Sequence, residues 1–286
     1  MRHRLGFLAA LAIAATFLPG LARADEAADH YNLGLQLKRQ GKNAEAIAEM
    51  EKAIKVRSDY AAAWFSLGNL WRAQNEYGKA ATALEKAVKL QPKDAPSHAN
   101  LGSIYVRQKR LDEGIRELEK AYELKADDYE TLVSLGFAYR SKNDYPRAIE
   151  FLKKATELKP TDPMAWTNLG VARSKTDDKE GAIVAFKKAI DINPHDAKSH
   201  FNLATVYRRM RKTDEAIREY ELAVSYDPNL PGPLYDLGLL YSQQRRTEDA
   251  LGAFRKFLAA SSSDDAGARK DAEERIKTLE AAVNKK

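Results

Sequence analysis

The 286-residue chain contains no cysteine. That excludes disulfides, a thiol nucleophile and any thiolate metal site, so the fold is held by packing alone. Glycine (15) and proline (10) are sparse, which leaves few places for breaks between elements. Ala, Leu, Glu, Lys and Arg are abundant instead, and these are the strong helix formers. The only long apolar run, Leu5 to Leu18, has 14 residues, against about 20 for a membrane span. A strong excess of one charge is also missing. The formal +6 includes Arg2, Arg4 and Arg23; without them 44 basic residues face 41 acidic ones, a balance of +3. No basic stripe of the kind nucleic acid requires stands out, so nucleic acid is not an expected partner.

The first 24 residues have their own composition. Arg2 and Arg4 precede the apolar run, Pro19-Gly20 follows it, and Ala22-Arg23-Ala24 forms a small-x-small site. This is the layout of a secretory signal peptide with cleavage after Ala24. The expectation is a periplasmic or secreted protein of residues 25–286, with no stable membrane span after cleavage.

The remainder is periodic. Gly34, Gly68, Gly102, Gly136 and Gly170 stand 34 residues apart; Ala204 and Gly238 continue the series, and each follows a leucine. Twelve residues on from each comes Ala46, Ala80, Gly114, Ala148, Ala182, Ala216 or Ala250. Four further come Met50, Leu84, Leu118, Leu152, Phe186, Tyr220 and Phe254. Ala53, Ala87, Ala121, Ala155, Ala189 and Ala223 follow, with Phe257 in the seventh unit, and Pro92, Pro160, Pro194 and Pro228 close four units. Small residues at two fixed points fit two helices whose axes approach closely. A helical pair cannot bury its apolar face alone, so neighbours must stack.

Trp64-x2-Leu67-Gly68-x2-Trp71, Leu132-x2-Leu135-Gly136-x2-Tyr139 and Leu234-x2-Leu237-Gly238-x2-Tyr241 resemble the tetratricopeptide repeat family. The resemblance implies an all-α, right-handed superhelical solenoid. Its seven helix-turn-helix units lie at about 27–60, 61–94, 95–128, 129–162, 163–196, 197–230 and 231–264, spanning 25–264. Leu37, Arg173 and Phe257 depart from the pattern. Residues 265–286 carry Ala272, Ile276, Leu279 and Val283 at helical spacing and read as a capping helix, N-capped within Ser261 to Asp265. No matching cap precedes the first unit, and Tyr31, Leu33 and Leu37 are expected at an open edge.

No convergent catalytic constellation is present, and no enzyme activity, cofactor or metal is expected. His30, His98 and His200 take the fourth position of units one, three and six, where the family has an aromatic; they read as partly buried, hydrogen-bonded residues. Asp127-Asp128, Asp177-Asp178 and Asp264-Asp265 read as turn and helix-start residues.

The resemblance places positions 2, 5, 6, 9, 12 and 13 of each unit on an inner, concave face. The expected partner is a protein or peptide segment. Position 6 holds Asn32, Ser66, Asn100, Ser134, Asn168, Asn202 and Asp236. An asparagine amide can pair with both backbone groups of an extended chain. Positions 5 and 9 add Tyr31, Phe65, Phe201 and Tyr235, and Asn69 and Phe137. Positions 12 and 13 add Lys38-Arg39, Arg72, Arg107, Arg140, Lys175 and Arg208-Arg209, a basic row that equally suits helix C-termini. The two-carboxylate clamp of family members that bind chaperone tails is broken: Asn69 and Asn100 match it, but Phe65, Glu130 and Ser134 do not. The expected function is a non-catalytic adaptor for envelope assembly, secretion or pilus-type complexes. The alternatives are self-assembly into a homo-oligomer through the first unit, or service as an accessory subunit of a separate enzyme.

Overall fold

The computed structural model describes residues 19–283. The signal-peptide expectation therefore falls largely outside the described residues. Every regular element among them is helical. The helices run α1 (Pro19–Arg39), α2 (Asn43–Val56), α3 (Ala61–Ala73), α4 (Tyr77–Leu90), α5 (Ala95–Arg107), α6 (Leu111–Leu124), α7 (Tyr129–Ser141) and α8 (Tyr145–Leu158). They continue as α9 (Pro163–Lys175), α10 (Lys179–Ile192), α11 (Ala197–Arg209), α12 (Thr213–Tyr226), α13 (Pro231–Gln243), α14 (Thr247–Ala260) and α15 (Ala266–Val283). They form two compact units, divided between Arg110 and Leu111. In each unit consecutive helices pack on one another as a helical repeat solenoid.

The 34-residue step has a direct packing cause. A Cβ on Gly68 would lie 2.6 Å from Leu84 Cγ, and one on Gly170 would lie 2.7 Å from Phe186 Cδ1. The glycine thus admits the large residue 16 positions on, and Met50, Leu84, Leu152, Phe186 and Phe254 are fully buried, as is Tyr220 opposite Ala204. In the first unit the core forms around Met50, Leu67 and Leu70, and around Leu84, Leu101 and Ile104. Phe186, Leu203, Tyr220, Leu237 and Phe254 centre a core in the second.

The turn inside each pair is as regular as the core. Gly41, Asn75, Lys109, Asn143, Asp177, Arg211 and Arg245 all have positive φ, between 58° and 76°. Each occupies the left-handed position that ends the first helix. Helix starts are equally specified. Asp94, Asp128, Asp144, Asp162, Asp178 and Asp196 accept from backbone N–H groups of the following turn. The acidic pairs at 127–128 and 177–178 thus serve turns and caps.

The two ends differ. At the C-terminal end α15 packs on α14. Its buried Ala272 stands 34 residues after Gly238, so α15 occupies the place of a further first helix. Ser262 and Asp265 form a capping box ahead of it. Arg269 donates to Leu258 O at 2.6 Å and Ser261 O at 3.0 Å, satisfying carbonyls at the end of α14. At the other end, α1 runs continuously from Pro19 through the Ala24–Asp25 bond to Arg39. Positions 3 and 10 of the repeat are buried in the later first helices, for instance Ala63 and Leu70, or Ala165 and Ala172. In α1 they are Asp29 and Gln36, both exposed. The edge expected to be open is therefore partly solvated by α1 itself. Leu33 remains 43% exposed, whereas Leu67 to Leu237 at the same position are buried.

Among the described residues Arg245 makes no side-chain hydrogen bond, ion pair or ring contact, and it holds a conformation that disfavours a Cβ. Arg245→Gly is expected to stabilise the chain by about 0.5–1 kcal/mol. The urea midpoint checks this, and an unchanged or lower midpoint would contradict the strain argument.

Candidate functional site

Burial along each first helix identifies its open face. In α7, Thr131, Leu132, Val133, Leu135, Gly136, Ala138 and Tyr139 are buried. Glu130, Ser134, Phe137, Arg140 and Ser141 are not. The same register leaves Met164, Asn168, Val171 and Lys175 open on α9. On α11 it leaves Lys198, Asn202, Thr205, Arg208 and Arg209, and on α13 Gly232, Asp236, Leu239 and Ser242.

In the first unit much of the polar surface of this face is already committed. Asn100 Nδ2 donates to Asn69 Oδ1 at 2.8 Å, and Arg72 approaches Asn100 Oδ1 at 3.5 Å. Tyr31 packs on Tyr60 with the rings tilted by 46° and 5.0 Å between centroids, and Phe65 packs against the Leu84–Leu101 core. The Arg107 guanidinium lies 5.8 Å from the Tyr77 ring centroid. Asn32 is exposed.

In the second unit the predicted residues divide. Asn168 and Asn202, in adjacent repeats, are half-buried and make no side-chain hydrogen bond among the described residues. Phe201 is half-buried over Gly232, where a Cβ would meet its ring at 2.9 Å. Tyr235 donates to Asp271 of α15 at 2.7 Å. Phe137 alone among the predicted aromatics is exposed, at 43%. The basic residues of the second unit differ in their partners. Arg209 donates to Ser174 O at 2.6 Å and pairs with Asp177 at 3.1 Å, closing the end of α9. Arg208 lies 3.8 Å from Asp236. Arg140 lies beside Phe137 with no acidic partner among the described residues.

A polar network under this face has no counterpart in the sequence reading. Tyr220, fully buried, donates to Asp236 Oδ2 at 2.8 Å, accepts from Arg208 Nε at 3.3 Å and meets Thr205 Oγ1 at 3.2 Å. Burial and the Asp236 carboxylate push its phenol well above the usual tyrosine range. The only sequence signal was Asp236 in a column otherwise of Asn and Ser. Other inter-repeat ties leave a clearer trace. Tyr105 donates to Glu85 at 2.7 Å, Tyr139 to Glu119, and Tyr241 to Glu221 at 2.6 Å, each glutamate 20 residues earlier. Arg173 replaces that tyrosine in its repeat and donates to Gly181 O at 3.1 Å.

The histidines are structural. His98 and His200 are buried, and each Nε2 donates to a proline carbonyl at 3.0 Å, Pro92 and Pro194. Trp64 and Trp166 make the same bond to Ser58 and Pro160. His30 and His200 turn Nδ1 to Glu49 and Glu219, at 2.6 and 2.7 Å. Among the described residues no group of three or more His, Asp or Glu is placed to hold a metal ion, and no helix is long and apolar enough to cross a membrane.

Removing the Tyr220 acceptor should be costly. Asp236→Ala is expected to destabilise by about 1–3 kcal/mol, the penalty for a buried donor losing its partner. Adding Tyr220→Phe should recover part of that loss; a fully additive cycle in thermal unfolding would show that the two groups do not depend on each other.

Comparison with known proteins agrees with this architecture. Family models described as tetratricopeptide repeat match residues 31–95, 94–161, 163–196 and 185–218. No curated protein matches the sequence. Among solved structures, MamA is 31% identical over 56% of this chain and 94% of its own, with a TM-score of 0.53. A tetratricopeptide repeat protein from Parabacteroides merdae is 16% identical over 89% of this chain and 99% of its own, at 0.65. YrrB, described as a TPR protein with an unusual peptide-binding site, is 21% identical over 65% of this chain and 96% of its own, at 0.58.

Proposed function

The chain belongs to the tetratricopeptide repeat family of protein-interaction scaffolds, and from that premise we propose that it is a non-catalytic adaptor holding an extended segment of a partner protein. The segment lies across the first helices of the second unit. One observation carries this reading: Asn168 and Asn202 present unengaged amides at the same position of neighbouring repeats. Packed helix axes lie about 8–10 Å apart, and an extended chain advances about 3.3 Å per residue. Two such amides therefore meet a backbone about every third residue. Each offers donors and an acceptor to peptide groups and leaves side chains unread. Exposed Phe137 and Met164 flank this pair and supply apolar surface to bury.

The adaptor works in the bacterial envelope after removal of residues 1–24, in assembly, secretion or pilus-type complexes. The amino-terminal composition supports this compartment. Expressed from its own start, the chain should be recovered from the periplasmic fraction with Asp25 as its first residue. Cytoplasmic recovery with the leader intact would overturn the assignment.

The binding face has its own test. Asn168→Ala with Asn202→Ala should abolish capture of a partner from periplasmic extract while the melting temperature stays within about 2 °C, as expected for surface changes. Equal loss of stability and capture would make these residues structural. Unchanged capture would remove them from the interface.

A further inference from the structure

We infer that Arg140 and Phe137 form a receptor for an acidic side chain lying within two positions of a large apolar one in the bound segment; this rests on the adaptor reading and names the segment's chemistry. The distinguishing feature of Arg140 is partial burial without a carboxylate partner. Neighbouring arginines of the second unit have carboxylates: Arg147 with Asp144 at 3.6 Å, Arg173 with Asp178 at 3.5 Å, Arg208 with Asp236 at 3.8 Å, and Arg209 with Asp177 at 3.1 Å. Among the described residues Arg140 has none and makes no hydrogen bond through its guanidinium. It is nevertheless half-buried, and that burial holds its pKa below the ordinary arginine value; only Tyr145 offsets the effect.

A guanidinium stays charged in a protein, and in the free chain only the end of α7 and the Phe137 ring offset its partial desolvation. An incoming carboxylate would supply the missing partner. It would do so in a bidentate, charge-assisted geometry, where reduced access of water strengthens the pair. Glu130 shares the open face of α7, but ten residues of helix separate it from Arg140, about 15 Å along the axis.

The apolar half of the receptor is beside the charge. The guanidinium carbon lies 5.2 Å from the Phe137 ring centroid. Phe137 is 43% exposed. A carboxylate reaching Arg140 therefore brings its neighbouring side chains over uncovered apolar surface. This receptor differs from the carboxylate clamp of chaperone-tail binders, whose positions here carry Phe65, Glu130 and Ser134.

The test is selection of a random dodecapeptide phage library on the immobilised full chain, in parallel with Arg140→Gln, Arg140→Lys and the Asn168→Ala/Asn202→Ala pair. The wild type should enrich Asp or Glu within two positions of Phe, Leu, Ile or Met. Arg140→Gln should lose the acidic preference but not melt lower, because it removes an unpaired charge. Arg140→Lys should keep it in weakened form. In fluorescence anisotropy the enriched peptide should bind about tenfold or more tightly than its Asn or Gln analogue. Amidating the peptide's C-terminus should change nothing. A preference that survives Arg140→Gln, or follows the free C-terminus, overturns the receptor. Enrichment without acidic residues that is lost in the double asparagine variant keeps the adaptor reading and overturns this one. No enrichment above an uncoated surface overturns both.

Discussion

The structure depends on one steric relation, repeated along the chain: a residue without a side chain opposite a large one 16 positions later. Gly68 against Leu84 and Gly170 against Phe186 leave no room even for a methyl group. Glycine in a helix interior costs about 1 kcal/mol relative to alanine. Complete burial of the opposing side chain, about 1.5–3 kcal/mol for a leucine or phenylalanine, more than offsets it. The relation also fixes the rotation of each first helix. Once one side faces its partner and another the neighbouring repeat, only positions 2, 6, 9 and 13 and their flanks stay open. The open surface of each first helix is therefore confined to a few positions per repeat by the same contact that makes the fold.

The remaining constraints are local. Each pair ends its first helix with a left-handed residue and commonly starts the next with an aspartate cap. Tyr–Glu bonds and ring N–H bonds to inter-repeat carbonyls then tie neighbour to neighbour. Such an array gains stability from adjacent units rather than from distant contacts. Its ends must be finished separately, and this chain does so in two ways. α15 continues the register and turns a polar side outward. α1 keeps its leucines but exchanges buried positions 3 and 10 for Asp29 and Gln36. That exchange lowers the apolar surface of the first edge and weakens the case for stacking of a second copy there.

The period, the helical pairs, the cap at Ser262 and the structural histidines were legible because each follows from residue type at a fixed position. What was not legible is which side chains find one another. Asn100 in the position-6 column and Asn69 at position 9 both read as binding residues, but their amides bond to each other. Arg173 read as a defect at a tyrosine position and proves to close its own turn through Gly181 O. Repeat position gives a residue's direction, whereas its availability depends on neighbours in the adjoining helix. Glu85, Glu119 and Glu221, each 20 residues before a tyrosine, show that such partners sometimes leave a periodic trace. The Tyr220 network left only the single exception of Asp236.

The basic row shows why availability matters more than charge count. Cations at positions 12 and 13 sit near helix C-termini, where the macrodipole favours any positive charge by about 0.3–1 kcal/mol. Their presence alone therefore carries little information. Their fates differ: Arg209 closes α9, Arg208 answers Asp236, Arg107 rests near a tyrosine ring, and Arg140 has no anion at all. A charge already paired contributes to the fold and offers a ligand little. Arg140 keeps only the helix-end dipole and the Phe137 ring as partners among the described residues, and so stays available to an anion that arrives from outside.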